Sequence, residues 1–333
     1  MLDDRKAAVL RAVVEEYIAT AQPVGSAHLQ RSAGVTVSSA TIRNDMAALE
    51  RDGYLSHPHT SAGRVPTDKG YRFFVDALTD PNLNRPEQQR VSDFFARTHV
   101  ALEQMLSETS QMLATLTNYA AVVVSPGGDT ASVRSIHLVD MPGHEGLAVA
   151  VLSNQIVEKV PFDVPAGVDA EDLAKASAVL STNLIGKSLA FTGRVATGDR
   201  SVDAIIDAVK QAFKRRDTQV ATSDHVFVGG TARVADAFEA VDTVRRVLGV
   251  LEHQYVVVSL LRDVLDTGRS VAIGAEHGVA PLAECAVVVA PITIGGQHAG
   301  TVGVLGPTRM NYPHALAAVT AVSQRLGENL SEA

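Results

Sequence analysis

Three helical patterns crowd into the first fifty residues, and the punctuation between them leaves little freedom of fold. From Arg5 to Thr20, Ala7, Leu10, Val13, Val14, Tyr17 and Ile18 recur at three- and four-residue steps, with Asp3 or Asp4 placed as N-cap. Pro23 and Gly25 end that segment. Ser26 then caps a short helix, Ala27 to Ser32, that Gly34 closes as a left-handed C-terminal residue. Ser38 or Ser39 caps a further helix running to about Arg51, before Asp52-Gly53. A helix, a short turn and a second helix make a helix-turn-helix.

Two short strand candidates follow, Tyr54-Leu55-Ser56 and Val65-Pro66-Thr67, separated by a polar stretch from His57 to Arg64. Strands and loop directly after a recognition helix form a wing. Gly70 to Leu78 reads as a linker helix, and Pro81-Asn82-Leu83-Asn84-Arg85-Pro86 marks a boundary, so the first domain is expected to cover residues 1–80. Helical periodicity then runs from Glu87 to about Thr117, and strands are expected at Ala120–Val124, Val133–Leu138, Gly146–Leu152 and Ile156–Pro161. The stretch 164–243 reads mostly helical, and Val244 to Leu265 reads as another apolar helix. Strands follow near Ser270–Ile273, Ala286–Thr293 and Ala299–Leu305, the last two joined at Gly295-Gly296, and a closing helix spans Ala315 to Leu330. Strands on both sides of a helical middle point to an α+β multidomain chain in which one α/β domain carries an insertion. A length of 333 residues fits two or three domains.

Periodicity fixes which side of the Ser38–Arg51 helix is free. With Ile42, Met46 and Leu49 inward, the opposite side carries Ala40, Asn44, Ala47 and Arg51, flanked by Thr41 and Arg43. Small residues beside Asn and Arg suit a major groove: methyl-sized side chains allow close approach, Asn pairs with adenine and Arg with guanine. Ser38, Ser39 and the free N–H groups at the helix start are placed to hold phosphate. In the wing, Ser61, Gly63 and Arg64 stand where a glycine permits close backbone approach to DNA and an arginine enters the minor groove, with Thr60, Thr67 and Lys69 as further phosphate contacts. A solvated helix with a serine cap, followed by a plain hairpin, would carry the same residues.

The net charge of −8 argues against non-specific nucleic-acid binding, but it is unevenly spread. Residues 1–72 hold nine of the 29 Lys/Arg and eight of the 37 Asp/Glu, so the acidity lies beyond them. Tight DNA binding by so neutral a segment requires pairing of two copies and specific contacts. No apolar run is long enough for a membrane and no leader pattern precedes Arg5, so a cytoplasmic protein is expected. The lone Cys285 excludes an internal disulfide and reads as core packing.

Other motifs carry less. Gly186-Lys187-Ser188 is similar to the end of a phosphate-binding loop, but Ser181 occupies the place of its first glycine. His57 and His59 flank Pro58 with no third ligand nearby, and Glu276-His277 and Asp224-His225 are acid–base pairs by adjacency only, attributed to exposed loop polarity. No cofactor or metal is expected. An enzyme with an appended DNA-binding module would need a nucleophile, a base and an orienting group, and the chain shows no such set. The same residues leave room for a protein-binding adaptor and for a small-molecule- or metal-responsive repressor.

Three ordered runs resemble the heat-inducible repressor family HrcA: Pro23-Val24-Gly25-Ser26; Ser38-Ser39-Ala40-Thr41-Ile42-Arg43-Asn44-Asp45-Met46; and His59 through Thr67 to Arg72. The resemblance extends more weakly over essentially the whole length. It implies a winged helix at 1–80, a GAF-like domain at 87–163 and 244–333 with a leading connector helix, and an inserted, mainly helical dimerisation domain at 164–243. It also implies an inverted-repeat operator in double-stranded DNA upstream of chaperone operons, bound by a homodimer, and the GroEL chaperonin as the partner that keeps the repressor active until heat occupies it elsewhere.

Overall fold

Asp3 caps the first helix, α1 (Asp4–Thr20), its Oδ1 accepting from the Lys6 amide at 2.8 Å, and the helix ends where Ala21 turns left-handed. The computed structural model describes every residue except 1, 33–36, 59–62, 80, 98–101, 125–131, 143–144, 153–156, 166, 188–194, 196, 220–225, 239, 295 and 333. The closure expected at Gly34 therefore lies outside the described residues. Helix α2 (Ser26–Ser32) and helix α3 (Ser39–Arg51) follow, and Val9, Leu10, Val13, Leu29, Ile42, Met46 and Leu49 bury their apolar sides together. Gly53, at φ +78°, takes the left-handed conformation just past α3. Two-residue strands β1 (Leu55–Ser56) and β2 (Val65–Pro66) pair antiparallel, and α4 (Asp68–Asp76) leads away from them.

The stretch expected as one helix from Glu87 is two, α5 (Arg85–Arg97) and α6 (Leu102–Thr117), with the residues between them undescribed. Strand β3 (Ala120–Val124) then enters a sheet that is completed only much later in the chain. In between, β4 (Val133–Met141), β5 (Glu145–Leu152) and β6 (Val157–Asp163) form their own antiparallel sheet, covered on one face by α7 (Ala170–Leu184) and α8 (Arg200–Gln219). Ile136, Ala148, Leu152, Val160 and Phe162 from the strands meet Leu180, Ile205, Ile206 and Phe213 from the helices in a separate core.

The chain next returns through β7 (Val226–Gly229), α9 (Thr231–Ala237), α10 (Val241–Glu252), α11 (Gln254–Asp266), β8 (Val271–Ile273), two 3-10 turns, β9 (Cys285–Ile294), β10 (Gln297–Pro307) and α12 (Tyr312–Glu332). The larger sheet has the order β7-β3-β10-β9-β8, all neighbours antiparallel. Alternate residues serve its two faces. Ala121, Val123, Val288, Val302 and Val304 share one core with α5, α6, α12 and the N-terminal helices, while Ala120, Val122, Val287, Val289 and Leu305 pack with α9 to α11.

These pairings move the expected domain boundaries. Strands β4 to β6, assigned at 133–163 to the outer domain, belong with α7 and α8, whereas β7 and α9, assigned to the insertion at 164–243, join and pack on the five-stranded sheet. Alternation reveals that a strand has one buried face but not which strands it will join. The apolar stretch from Val244 is likewise not one helix: it breaks at His253, whose ψ of 83° leaves the helical region and whose Nδ1 hydrogen-bonds the Gly249 carbonyl at 2.8 Å. Gly296, at φ +81°, sits in the β9–β10 turn as expected of it; Gly295 is outside the described residues. Among the described residues no helix is long and apolar enough to cross a membrane.

Candidate nucleic-acid interface

Helix α3 presents two sides of opposite character. Ile42, Met46 and Leu49 are buried, and Asp45 is buried beside them, its carboxylate gripped by Arg5 of α1 through Nε to Oδ2 at 2.8 Å and Nη2 to Oδ1 at 3.0 Å. This bidentate clamp fixes the rotation of α3 about its own axis. On the other side Ala40, Arg43, Asn44 and Arg51 are exposed and Thr41 and Ala47 half-buried. The side chains of Arg43, Asn44 and Arg51 make no hydrogen bond or ion pair among the described residues. An open row of donors on a helix held in place by its buried side is what base-edge recognition requires.

The start of α3 is built by its two serines in different ways. Ser38 is the N-cap, its hydroxyl accepting from the Thr41 amide at 3.1 Å and lying 2.9 Å from the Thr41 hydroxyl. Ser39 turns toward α2, with 3.1 Å between its hydroxyl and that of Ser26. Ser38 is exposed and Ser39 half-buried over the residue as a whole, so the cap amides lie near the surface while the Ser39 hydroxyl ties the two helices.

The strand-loop segment is otherwise engaged. Arg64 pairs through its backbone with Val24, at 2.8 and 2.9 Å, and its guanidinium Nε meets Glu50 Oε2 at 2.8 Å with the side chain 22% exposed. A Cβ on Gly63 would stand 2.3 Å from the Val24 carbonyl oxygen, so the close approach expected there toward DNA is made toward the protein's own backbone. Thr67 caps α4: its hydroxyl accepts from the Gly70 amide at 3.2 Å and donates to the Gly53 carbonyl at 2.7 Å. Lys69 Nζ donates to the Asp52 carbonyl at 2.8 Å and lies 4.3 Å from the centre of the Tyr54 ring. Thr60 and Ser61 lie outside the described residues.

The periodicity of the sequence does not single out Asp45, Glu50 or Arg5. Asp45 carries a usable signal all the same, because a carboxylate at the core-facing angle of a helix needs a buried partner. Among the lesser motifs, Gly186 and Lys187 close an edge of β4, with the Gly186 amide donating to the Val133 carbonyl and the Val133 amide to the Lys187 carbonyl, each at 2.8 Å. Ser188, His59, Asp224 and His225 are outside the described residues, and His57 is half-buried. Exposed loop polarity does not describe Glu276-His277. His277 is buried with Nε2 on the Leu282 carbonyl at 3.0 Å, and Glu276 clasps Arg72 of α4. Cys285 is buried in the sheet, and burial, with the charge of Glu284, pushes its thiol up to about 12.

A family model, the HrcA protein C terminal domain, matches residues 103–316. A heat-inducible transcription repressor HrcA from Moorella thermoacetica is 33% identical, covering 99% of this chain and 98% of its own length. The protein of that name from Acidothermus cellulolyticus is 38% identical over 100% of both chains. A crystal structure of a hypothetical protein at 2.2 Å resolution superposes with a TM-score of 0.64 at 23% identity, covering 100% of this chain and 99% of the other, a likeness of fold alone.

Proposed function

From the premise that this chain belongs to the HrcA family of heat-inducible transcription repressors, we propose that it represses its target genes by laying α3 in a major groove of double-stranded DNA. In this reading residues 4–76 are a winged helix-turn-helix in which α2 and α3 are the two helices of the motif and the β1–β2 ladder carries the wing. The observation that carries it is the division of α3 into a clamped, buried side and an open side bearing Arg43 and Asn44. Arg51 and the Ser38 cap are assigned to flanking phosphates. The five-stranded domain is taken as GAF-like.

Two copies are assigned to one operator, an inverted repeat, since a near-neutral DNA-binding unit gains affinity from doubling. The occupant proposed for the open face of the β4–β6 sheet is a second copy of this chain. Val139 and Val157 stand 47% and 49% exposed there, with Leu147 of β5 in register with Val139 and Val151 of β5 in register with Val157, and a second copy related by a two-fold axis would set this patch against its own equivalent. The GroEL chaperonin is assigned as the modulating partner, on the family resemblance, and the cytoplasm as the place of action.

Footprinting of the purified protein on the DNA upstream of its own gene, at two temperatures and with or without chaperonin, tests the whole reading. Protection of two symmetric half-sites, strengthened by chaperonin and weakened by heat, is expected. Absence of any protected site at low temperature would overturn the DNA-binding assignment; a single protected half-site would overturn the pairing.

A further inference from the structure

Helix α4 is the element through which the N-terminal unit meets the body, and the seam it makes is built of unlike parts. On the favourable side Arg72 reaches across to the loop after β8: its Nε donates to Glu276 Oε1 at 2.9 Å, its Nη2 contacts Glu276 Oε2, and the same Nη2 donates to the Val271 carbonyl at 2.8 Å. Glu276 is itself fixed by the Ile273 amide at 3.0 Å, so the charge pair joins two rigid elements rather than two loose side chains. One turn earlier, Asp68 packs so closely on Gly274, at φ +55°, that a Cβ there would lie 2.1 Å from its Oδ2.

Between these contacts lies a defect. The Tyr71 ring stacks at a tilt on Tyr312, the first residue of α12, with centroids 5.8 Å apart, and the residue is 2% exposed. Its hydroxyl is the buried side-chain polar atom left without a hydrogen-bond partner among the described residues. An unsatisfied buried hydroxyl opposes the very closure that buries it, and hydration on opening would relieve it. A contact stabilised by an ion pair and opposed by an orphaned hydroxyl, both on one helix, is a balanced element and not a plain core.

We infer that Arg72 and Tyr71 are positioning residues: through Glu276 and Tyr312 they set the angle at which the body carries α3, with Arg72 holding the seam closed and Tyr71 keeping it able to open. Neither touches DNA in this scheme. The inference rests on the DNA-binding reading above and adds a consequence to it. Two α3 helices must enter grooves about 34–36 Å apart at once, so the carrying angle governs binding to a full inverted repeat and is irrelevant to a single half-site. A closed seam presents the second helix at high effective concentration once the first has bound.

The test uses the full chain and a duplex selected by the wild-type protein from a random-sequence library, together with the same duplex with one half scrambled. Glu276→Gln alters a residue of the body and leaves every residue of the N-terminal unit unchanged, and is expected to lower the full-site over half-site advantage about tenfold while half-site affinity stays within about twofold. Tyr71→Phe, which removes the orphan without changing shape, is expected to raise that advantage. Spin labels at the exposed positions Gln30→Cys and Asp266→Cys, with Cys285 buried and unreactive, read the seam without DNA: their distance distribution should broaden with Glu276→Gln and sharpen with Tyr71→Phe. Opposite shifts of the two variants in both measurements support the inference. It is overturned if Glu276→Gln changes neither measurement, if both variants move the same way, or if half-site affinity falls as far as full-site affinity. Failure of the wild-type protein to select any duplex would instead remove the DNA-binding reading, and the label distances would still decide whether the seam opens.

Discussion

Helix α3 and the segment from Gly53 to Arg72 supply the proposed DNA contacts in comparable number, yet they hold their polar side chains in opposite ways. On α3, Arg43, Asn44 and Arg51 point outward with no partner among the described residues, because the helix is secured by its other side. In the following segment Arg64, Thr67 and Lys69 are each bonded to the protein itself. The contrast has a structural cause. A ladder of two residue pairs cannot stand alone in water, so the segment borrows support from Val24, Glu50, Gly53 and Asp52. Polar residues are free for recognition where apolar packing does the holding, and are consumed where it does not.

The buried side of α3 is what holds its open side in place. Ile42→Ala is expected to cost about 2–5 kcal/mol of stability, read as a lower denaturation midpoint, since Ile42 is fully buried. An unchanged midpoint would mean that the side taken as structural is not. Gly63→Ala is the matching probe of the other region. With its Cβ 2.3 Å from a backbone oxygen that cannot swing aside, about 1–3 kcal/mol of destabilisation is expected, and a neutral result would show that the segment does not lean on Val24.

Asn44 and Thr67 separate binding from stability. Asn44→Ala is expected to lose about 1–3 kcal/mol of specific DNA binding in a titration and to relax one operator position, with the thermal midpoint unmoved. Thr67→Ala should do the reverse, lowering stability by about 1 kcal/mol through the lost cap while operator affinity at low temperature holds. Loss of binding without loss of stability at Thr67 would erase the distinction between the two regions.

How much of the molecule is legible in its sequence follows the same division. A period of 3.6 residues places Ile42, Met46 and Leu49 inside and Arg43 and Asn44 outside, because a helix's faces follow from spacing alone. The Ser38 cap and the left-handed Gly53 are equally local. Strand partnership is not: β4 to β6 alternate like any half-buried strands, and nothing within Val133–Asp163 says that they pair with one another and leave β3 to wait for β7 and β10. Four-residue β7, in a stretch that reads as helix, carries no signal of its own. The internal partners of Arg64 and Lys69 lie 14 and 17 residues away, on the far side of a turn, and no spacing rule reaches them.

Arg64 is where the two regions meet, and the smallest predicted effect is also the one that sharpens the contrast most. Its ion pair with Glu50, at 22% and 32% exposure, is worth under about 1 kcal/mol, so Arg64→Ala should barely change stability. A guanidinium that must leave Glu50 to reach DNA should gain when Glu50 is neutralised. Glu50→Gln is then expected to tighten DNA binding, and Arg64→Ala to weaken it and to make the slope of log affinity against log salt shallower by about 0.9, the share of one backbone contact. If instead both substitutions leave that slope unchanged, Arg64 is a strut like Thr67 and Lys69, the strand-loop segment carries no contact of its own among these three residues, and the burden of recognition falls on the open side of α3.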